Sequence, residues 1–202
     1  MTWAVVLAAG ESRRMGRQKL LLPYGEGTVV EAVVRAALGS RIDRVLAVVG
    51  ADREAVGRVL EPLGVELAVN ENFAAGMLSS IQTGFRSLPK EAEAAVVMLG
   101  DQPFVTSKVI DLLVEAYRRT GKTIVIPTHG GRRGHPVLID IEHKGEILGL
   151  APEEGLRRLM RARPEATAEV EVADPGILRD LDKPEEYEES QEGVKPMRRR
   201  YE

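Results

Sequence analysis

The chain contains no cysteine, and this absence excludes several kinds of chemistry. Disulfide bonds, zinc–thiolate sites, iron–sulfur clusters and thiol nucleophiles all require cysteine side chains. A protein without cysteine also fits a reducing compartment, so we expect it to be cytoplasmic. The three histidines stand apart, with none in a His-x-x-x-His or Glu-x-x-His pair, which argues against a preformed imidazole metal cage.

Long apolar runs and an excess of charge of one sign are also absent. No apolar run approaches the roughly 18–20 residues that a membrane span needs. The first residues carry neither a basic segment nor a cleavage site, so we expect no signal peptide. With 28 basic and 31 acidic residues, the net charge of -3 argues against a surface that coats nucleic acid. The expected partners are therefore small molecules, with neither nucleic acid nor a membrane among them.

The order of the apolar segments indicates the fold class. Runs rich in Val, Leu and Ile alternate with amphipathic stretches, a pattern typical of a mostly parallel sheet with helices on both faces. We therefore predict a three-layer, Rossmann-like α/β fold in one domain, residues 1–187, followed by a disordered tail, residues 188–202. Thr28 and Glu31 predict a capping box at the first helix. The expected strands are 5–8, 45–49, 65–69, 95–99, 123–126, 137–139 and 169–172. The expected helices are 29–38, 53–60, 78–88, 107–119 and 155–161, with a further helix from 185.

The first strand continues into a segment of small and basic residues, 7–19. Small residues allow backbone N–H groups to approach an anion, while Arg14 and Lys19 add positive charge that suits a polyphosphate. It is not a Walker A loop, because Gly16 is followed by Arg17, and Gly10 lacks the second glycine of a dinucleotide fingerprint. The alternative is a βα turn with solvated basic side chains.

Acidic residues follow the fourth strand and recur near the end of the chain. Asp101 lies between Gly100 and a turn proline, at the edge of the sheet where Mg²⁺ would take a carboxylate together with substrate phosphates. Asp180 and Asp182 would point to the same side of an extended segment. The alternatives are an Asx-turn or N-cap at Asp101 and an N-cap at Asp182 before the Pro184 helix.

Two further segments carry polar groups that could contact a ligand. Residues 72–80 offer the amide of Gly76 and the hydroxyl of Ser80 to a base or ribose, or else form a serine-capped loop. Residues 130–136 form a tight turn in which Arg132 and Arg133 either meet an anionic substrate or face water, while His135 is either structural or catalytic.

Together these segments resemble the molybdenum cofactor nucleotidyltransferases, and most closely the cytidylyltransferase branch. The resemblance runs from Val5 to Tyr187, and its specificity comes from four motifs occurring in the family's order. The motifs are Leu7-Ala8-Ala9-Gly10-x-Ser12-x-Arg14-Met15-Gly16-x-x-Lys19, Asn72 through Ser80, Gly100-Asp101-Gln102-Pro103 and Gly134-His135-Pro136-Val137.

The resemblance implies a role for each matching residue. Asp101 would bind Mg²⁺ with Asp182 as the second acid, and catalysis would rest on Arg14, Lys19 and Asp101. An acceptor would contact His135, Arg133 and Arg157. The implied nucleotide-binding residues are Leu7, Ala8, Ala9, Gly10, Arg14, Lys19, Gly76 and Ser80.

The resemblance also implies a reaction: transfer of CMP from CTP to the terminal phosphate of molybdopterin, with release of pyrophosphate. Ala9 favours CTP over GTP, because the guanylyl branch usually has glycine there. The alternatives are guanylyl transfer, a sugar or polyol phosphate as acceptor, and a nucleotide sensor without turnover. A molybdoenzyme or its chaperone would receive the product.

The chain departs from the family pattern at two places. The family's Gly-Asp-x-Gly-Ala-Arg segment is replaced by residues 152–157, which end in Arg157. The usual Asp-Thr-Pro is Asp182-Lys183-Pro184 here, which puts a cation next to a presumed metal ligand.

Overall fold

The computed structural model describes residues 1–12 and 15–191, with Gln191 described by its main chain only. Arg13, Arg14 and, of the expected tail 188–202, residues 192–202 lie outside the described residues. The strands are β1 (Thr2–Ala8), β2 (Pro23–Tyr24), β3 (Gly27–Thr28), β4 (Arg44–Val49), β5 (Glu66–Val69), β6 (Ala94–Leu99), β7 (Ile124–His129), β8 (Arg132–Arg133), β9 (Val137–Asp140) and β10 (Thr167–Glu171). The helices are α1 (Val29–Leu38), α2 (Arg53–Leu60), α3 (Met77–Ser87), α4 (Ser107–Thr120), α5 (Lys144–Gly149), α6 (Leu156–Ala162) and α7 (Pro184–Gln191).

The main sheet has the strand order β10-β7-β9-β6-β1-β4-β5, with β8 paired to β7. Its central strands β6, β1, β4 and β5 are parallel, whereas β9 runs antiparallel to both β6 and β7. Parallel strands place their carboxyl ends at one edge, which is where open α/β sheets bind ligands. The predicted mostly parallel sheet is therefore confirmed.

Alternate residues of β1 face opposite layers, as the pleat requires. Ala4, Val6 and Ala8 pack with apolar residues of α1, α2 and α4. Trp3 and Val5 pack on the other side with apolar residues of α3, α5 and α6. Helices therefore cover both faces of the sheet, and the three-layer prediction is confirmed.

The structure extends several elements beyond the sequence-based boundaries, and β1 begins at Thr2, three residues before the expected start. β7 continues through Pro127 to His129, and the two-residue turn Gly130-Gly131, with φ of 57° and 74°, leads into β8. Both turn residues lie in the left-handed region that hairpin turns of this length require. β10 begins two residues earlier than expected, at Thr167. α7 extends past residue 187 to Gln191.

Within the described residues, the search for a helix long and apolar enough to cross a membrane finds none.

Candidate active site

A cavity of about 430 Å³ lies at the carboxyl edge of the sheet. It is bounded by the segments that follow β1 and β6, by the first turn of α3 and by Asp182. Of the residues expected to bind nucleotide or metal, those that line it are Leu7, Ala9, Gly10, Lys19, Gly76, Ser80, Asp101 and Asp182. Ala8 lies in the core below, only 2% exposed, and is not among the lining residues.

The loop after β1 is closed by hydrogen bonds between its own residues. Ser12, with φ of 53°, donates its hydroxyl to Oε1 of Gln18 at 2.7 Å and accepts the backbone N–H of Lys19 at 3.1 Å. The side-chain amide nitrogen of Gln18 donates to the backbone carbonyl of Gly10 at 3.1 Å and to Oδ2 of Asp52 at 2.6 Å. Gln18 therefore ties the cavity-lining loop to the N-terminus of α2, a role that the sequence did not indicate.

Close backbone packing brings Asp101 to the cavity. A Cβ on Gly100 would lie 2.7 Å from the carbonyl oxygen of Leu7, so only glycine allows the chain after β6 to approach β1 this closely. The N–H of Gly100 donates to that same carbonyl at 3.0 Å. The glycine before the acid is thus explained by this approach, and the carboxylate that follows it lines the cavity.

Leu181, the residue before Asp182, holds Asp182 beside Asp101. Leu181 is fully buried in a small cluster with Met15 and Val29, and its N–H donates to the carbonyl of Asp101 at 3.0 Å. The start of α7 is capped from within, since Glu186 accepts the N–H groups of Asp182 and Lys183. The side chain of Asp182 lines the cavity.

The ammonium group of Lys19 lies between the two carboxylates. Its Nζ is 2.5 Å from Oδ2 of Asp101 and 2.8 Å from Oδ1 of Asp182, and all three side chains are mostly buried. Burial lowers the pKa of Lys19, but the charges and hydrogen bonds of the two aspartates outweigh it, so the pKa lies above its usual value. Lys19 therefore stays positively charged at the point where the two acids converge.

The cation expected next to Asp182 thus comes from a different residue. Lys183 is exposed to solvent, whereas Lys19, from the first loop, makes the ion pair. Asp180 adds negative charge to the same region. Burial raises the pKa of Asp180, and the charges of Asp182 and Asp101 raise it further.

A buried polar network supports the opposite wall of the cavity. Asn70, which follows β5 and is 3% exposed, donates its amide N–H groups to the hydroxyls of Ser79 and Ser80. The sequence did not single out Asn70. A polar residue directly after a strand of a parallel sheet was the signal available, because such positions lie at the ligand-binding edge.

The residues expected to bind the acceptor are only partly brought together. His135 is half-buried, and burial lowers its pKa, while the charge of Asp101 opposes that shift and the charge of Arg157 adds to it. These three residues therefore share one region. Arg133 lies on β8 and pairs with Glu169 on β10. None of His135, Arg157 and Arg133 is among the residues that line the cavity. Arg14 lies outside the described residues.

Asp101 and Asp182 supply carboxylate donors for a divalent cation. The two carboxylates share one cation already, the ammonium of Lys19, and hard oxygen ligands of this kind are those that Mg²⁺ takes. Over residues 1–12 and 15–191, no group of three or more His, Asp or Glu side chains is arranged to hold a metal ion. Asp101 and Asp182 thus fit a metal whose other ligands are phosphates and water.

Comparison with known proteins identifies the family. The family profile of the MobA-like NTP transferase domain matches residues 4–168. The chain belongs to this family. It is therefore a nucleotidyltransferase, as the sequence predicted.

Relatives of this nucleotidyltransferase carry different names. It is 30% identical over 193 residues to the purine catabolism protein PucB of Bacillus subtilis, covering 91% of this chain and 93% of that protein. It is 25% identical over 184 residues to the molybdenum cofactor cytidylyltransferase of Escherichia coli, covering 91% and 92% of the two chains.

A solved structure agrees along nearly the whole length of the nucleotidyltransferase. Rv0371c from Mycobacterium tuberculosis superposes with a TM-score of 0.84 at 27% identity, covering 95% of this chain and 97% of that one. The same protein in complex with manganese superposes with a TM-score of 0.79 at 26% identity, covering 96% and 99%.

Proposed function

We propose that this nucleotidyltransferase transfers CMP from CTP to the terminal phosphate of a molybdopterin-type acceptor, with Mg²⁺, and releases pyrophosphate. The observation that carries the proposal is the convergence of Lys19, Asp101 and Asp182 at a cavity lined by the loop after β1. The name of the E. coli relative, which covers almost the whole chain, supports this choice of nucleotide and acceptor.

The reaction needs no general base. An oxygen of the acceptor's terminal phosphate is already an anion, and it forms a bond to the α-phosphorus of CTP. The bond from that phosphorus to its bridging oxygen breaks, and pyrophosphate leaves with the electron pair. The work left to the protein is alignment and neutralisation of charge.

The chain's own residues divide this work. Backbone groups of Ala9 and Gly10 face the cavity, where they would hold the nucleotide. Asp101 and Asp182 would hold the metal, which when bound supplies charge neutralisation at the phosphate oxygens. Lys19, once the nucleotide is bound, would neutralise the leaving pyrophosphate. His135 and Arg157 are proposed to meet the acceptor, and a molybdoenzyme or its chaperone to receive the product.

The test is pyrophosphate release from CTP, GTP, ATP and UTP, each with and without molybdopterin. We expect release with CTP and molybdopterin. A sugar phosphate and a polyol phosphate serve as the competing acceptors. Release that needs one of these instead of molybdopterin would overturn the proposed acceptor, and a preference for GTP would overturn the proposed nucleotide.

Ala9 offers a direct test of nucleotide choice. Ala9 lines the cavity, and glycine at this position would leave more room for a purine. We expect Ala9→Gly to raise kcat/KM for GTP relative to CTP. An unchanged ratio would remove Ala9 as the source of the preference.

A further inference from the structure

The side-chain amide of Asn70 has only one possible orientation. Its Oδ1 accepts the backbone N–H of Asn72 at 2.9 Å. Because a backbone N–H can only donate, the amide oxygen must face Asn72 and the NH₂ group must face the other way. The backbone N–H of Asn72 thus fixes which side-chain atom of Asn70 is the oxygen and which is the nitrogen.

The NH₂ group then fixes the role of two serine hydroxyls on α3. It donates to Oγ of Ser79 at 2.8 Å and to Oγ of Ser80 at 3.0 Å. Both hydroxyl oxygens are therefore acceptors, and each hydroxyl proton must point elsewhere. The hydroxyl of Ser79 donates its proton within the protein, to the backbone carbonyls of Asn72 and Gly76 at 2.9 and 2.8 Å.

The proton of Ser80 has no such acceptor among the residues that the structure describes. Ser80 is 6% exposed, and it lines the cavity together with Gly76 and Met77. A buried hydroxyl whose oxygen is occupied can still satisfy its proton by donating to a bound ligand. The wall of the cavity at Ser80 therefore presents a donor.

We infer that Asn70 is a positioning residue that fixes the Ser80 hydroxyl as a hydrogen-bond donor to an acceptor atom of the nucleoside. The inference rests on the proposed function in taking the ligand to be a nucleoside triphosphate. The acceptor atom is a base carbonyl or a ribose oxygen, which share this chemistry. Asn70 itself lies behind the wall and does not line the cavity.

Asn70→Asp reverses the polarity of the network with almost no change of shape. A carboxylate can still accept the N–H of Asn72, but it can no longer donate to Ser80 and instead accepts the Ser80 proton. We expect the Kd for CTP with Mg²⁺, measured by calorimetry without acceptor, to rise roughly threefold to tenfold. Ser80→Ala should give a similar loss, and the double variant should bind no more weakly than Ser80→Ala.

Ser79→Ala is the matched control. Ser79 accepts from the same amide but spends its proton inside the protein and does not line the cavity, so this variant should keep the wild-type Kd. The Ser79 and Ser80 comparison tests the donor role of Ser80 without an Asn70 variant. If Asn70→Asp fails to fold, Asn70→Ala, which removes the amide without adding a charge, tests the positioning role by the same Kd measurement. Melting temperatures of all variants report their folding separately.

The CTP affinities of the variants show whether the inference holds. Equal affinity of Ser80→Ala and wild type for CTP would overturn the inference, as would an Asn70→Asp effect that persists undiminished in the Ser80→Ala background. Using 2′-deoxy-CTP tests one acceptor atom directly: a Ser80→Ala loss that disappears places it on the ribose 2′-hydroxyl, and one that remains places it elsewhere on the nucleoside. If the wild type binds no nucleoside triphosphate, the proposed function itself fails.

Discussion

The Nζ atom of Lys19 lies 2.8 Å from Oδ1 of Asp182, although 163 positions separate the two residues in the sequence. The same ammonium group reaches Asp101. A basic residue expected to bind phosphate thus holds together the two acids expected to bind metal. Both roles can be met in turn if Lys19 moves to the phosphates when nucleotide and metal bind.

Replacing Lys19 separates the two roles. Lys19→Met removes the charge and keeps much of the side chain, so Mn²⁺ should bind the nucleotide-free protein about tenfold more tightly or better, because its electrostatic competitor is gone. Free Mn²⁺ measured by electron paramagnetic resonance reports this affinity. Lys108→Met, an exposed lysine on α4, should leave it unchanged. Equal or weaker Mn²⁺ binding in Lys19→Met would contradict the arrangement.

Gln18 should affect binding more than the chemical step. Gln18→Ala removes the bonds to Gly10 and Asp52 that tie the loop to α2, so we expect KM for CTP to rise roughly threefold to tenfold with little change in kcat. The control is Gln82→Ala on α3, whose amide donates to the carbonyls of Ile147 and Leu150. Steady-state kinetics of both variants measure the KM for CTP and kcat. A loss confined to kcat would reject the bracing role.

His135 should make the fold sensitive to mild acid. Burial lowers its pKa in the folded state, so below about pH 6.5 the unfolded chain takes up a proton that the folded protein refuses. The free energy of unfolding should therefore be highest above that pH and decrease as the pH drops below it. Urea titrations at about pH 7.5 and about pH 5 measure this, and His135→Gln should lose less free energy of unfolding between the two pH values than wild type does. An identical pH dependence in His135→Gln would exclude this origin.

The sequence predicted the layered sheet because local signals agreed with it. The capping box of Thr28 and Glu31 is present as expected, and the alternation of apolar runs gave the strands their order. Strand ends were harder. Pro127 marked the expected end of its strand, yet it lies in register with Val170 of β10, because a parallel pairing on one side does not require its missing N–H.

The site was predictable in its parts but not in its connections. Asp101 and the small-residue loop follow apolar strands, so they could be placed at one edge. The ion pair of Lys19 depends on how Leu181 packs, and the role of Asn70 depends on a helix that follows it by several residues. Such contacts are set by tertiary packing and leave no pattern of spacing in the chain.

The central claim is that Asp101 takes part in metal-assisted nucleotidyl transfer. The most direct measurement is single-turnover release of pyrophosphate from CTP in the presence of molybdopterin at limiting Mg²⁺. We expect Asp101→Asn to be slower by about 10²–10³, the scale for groups that act on transition-state charge. Asp180→Asn, which removes a nearby carboxylate that does not line the cavity, should keep close to the wild-type rate. A near-normal rate for Asp101→Asn, or an equal loss in Asp180→Asn, would contradict the claim.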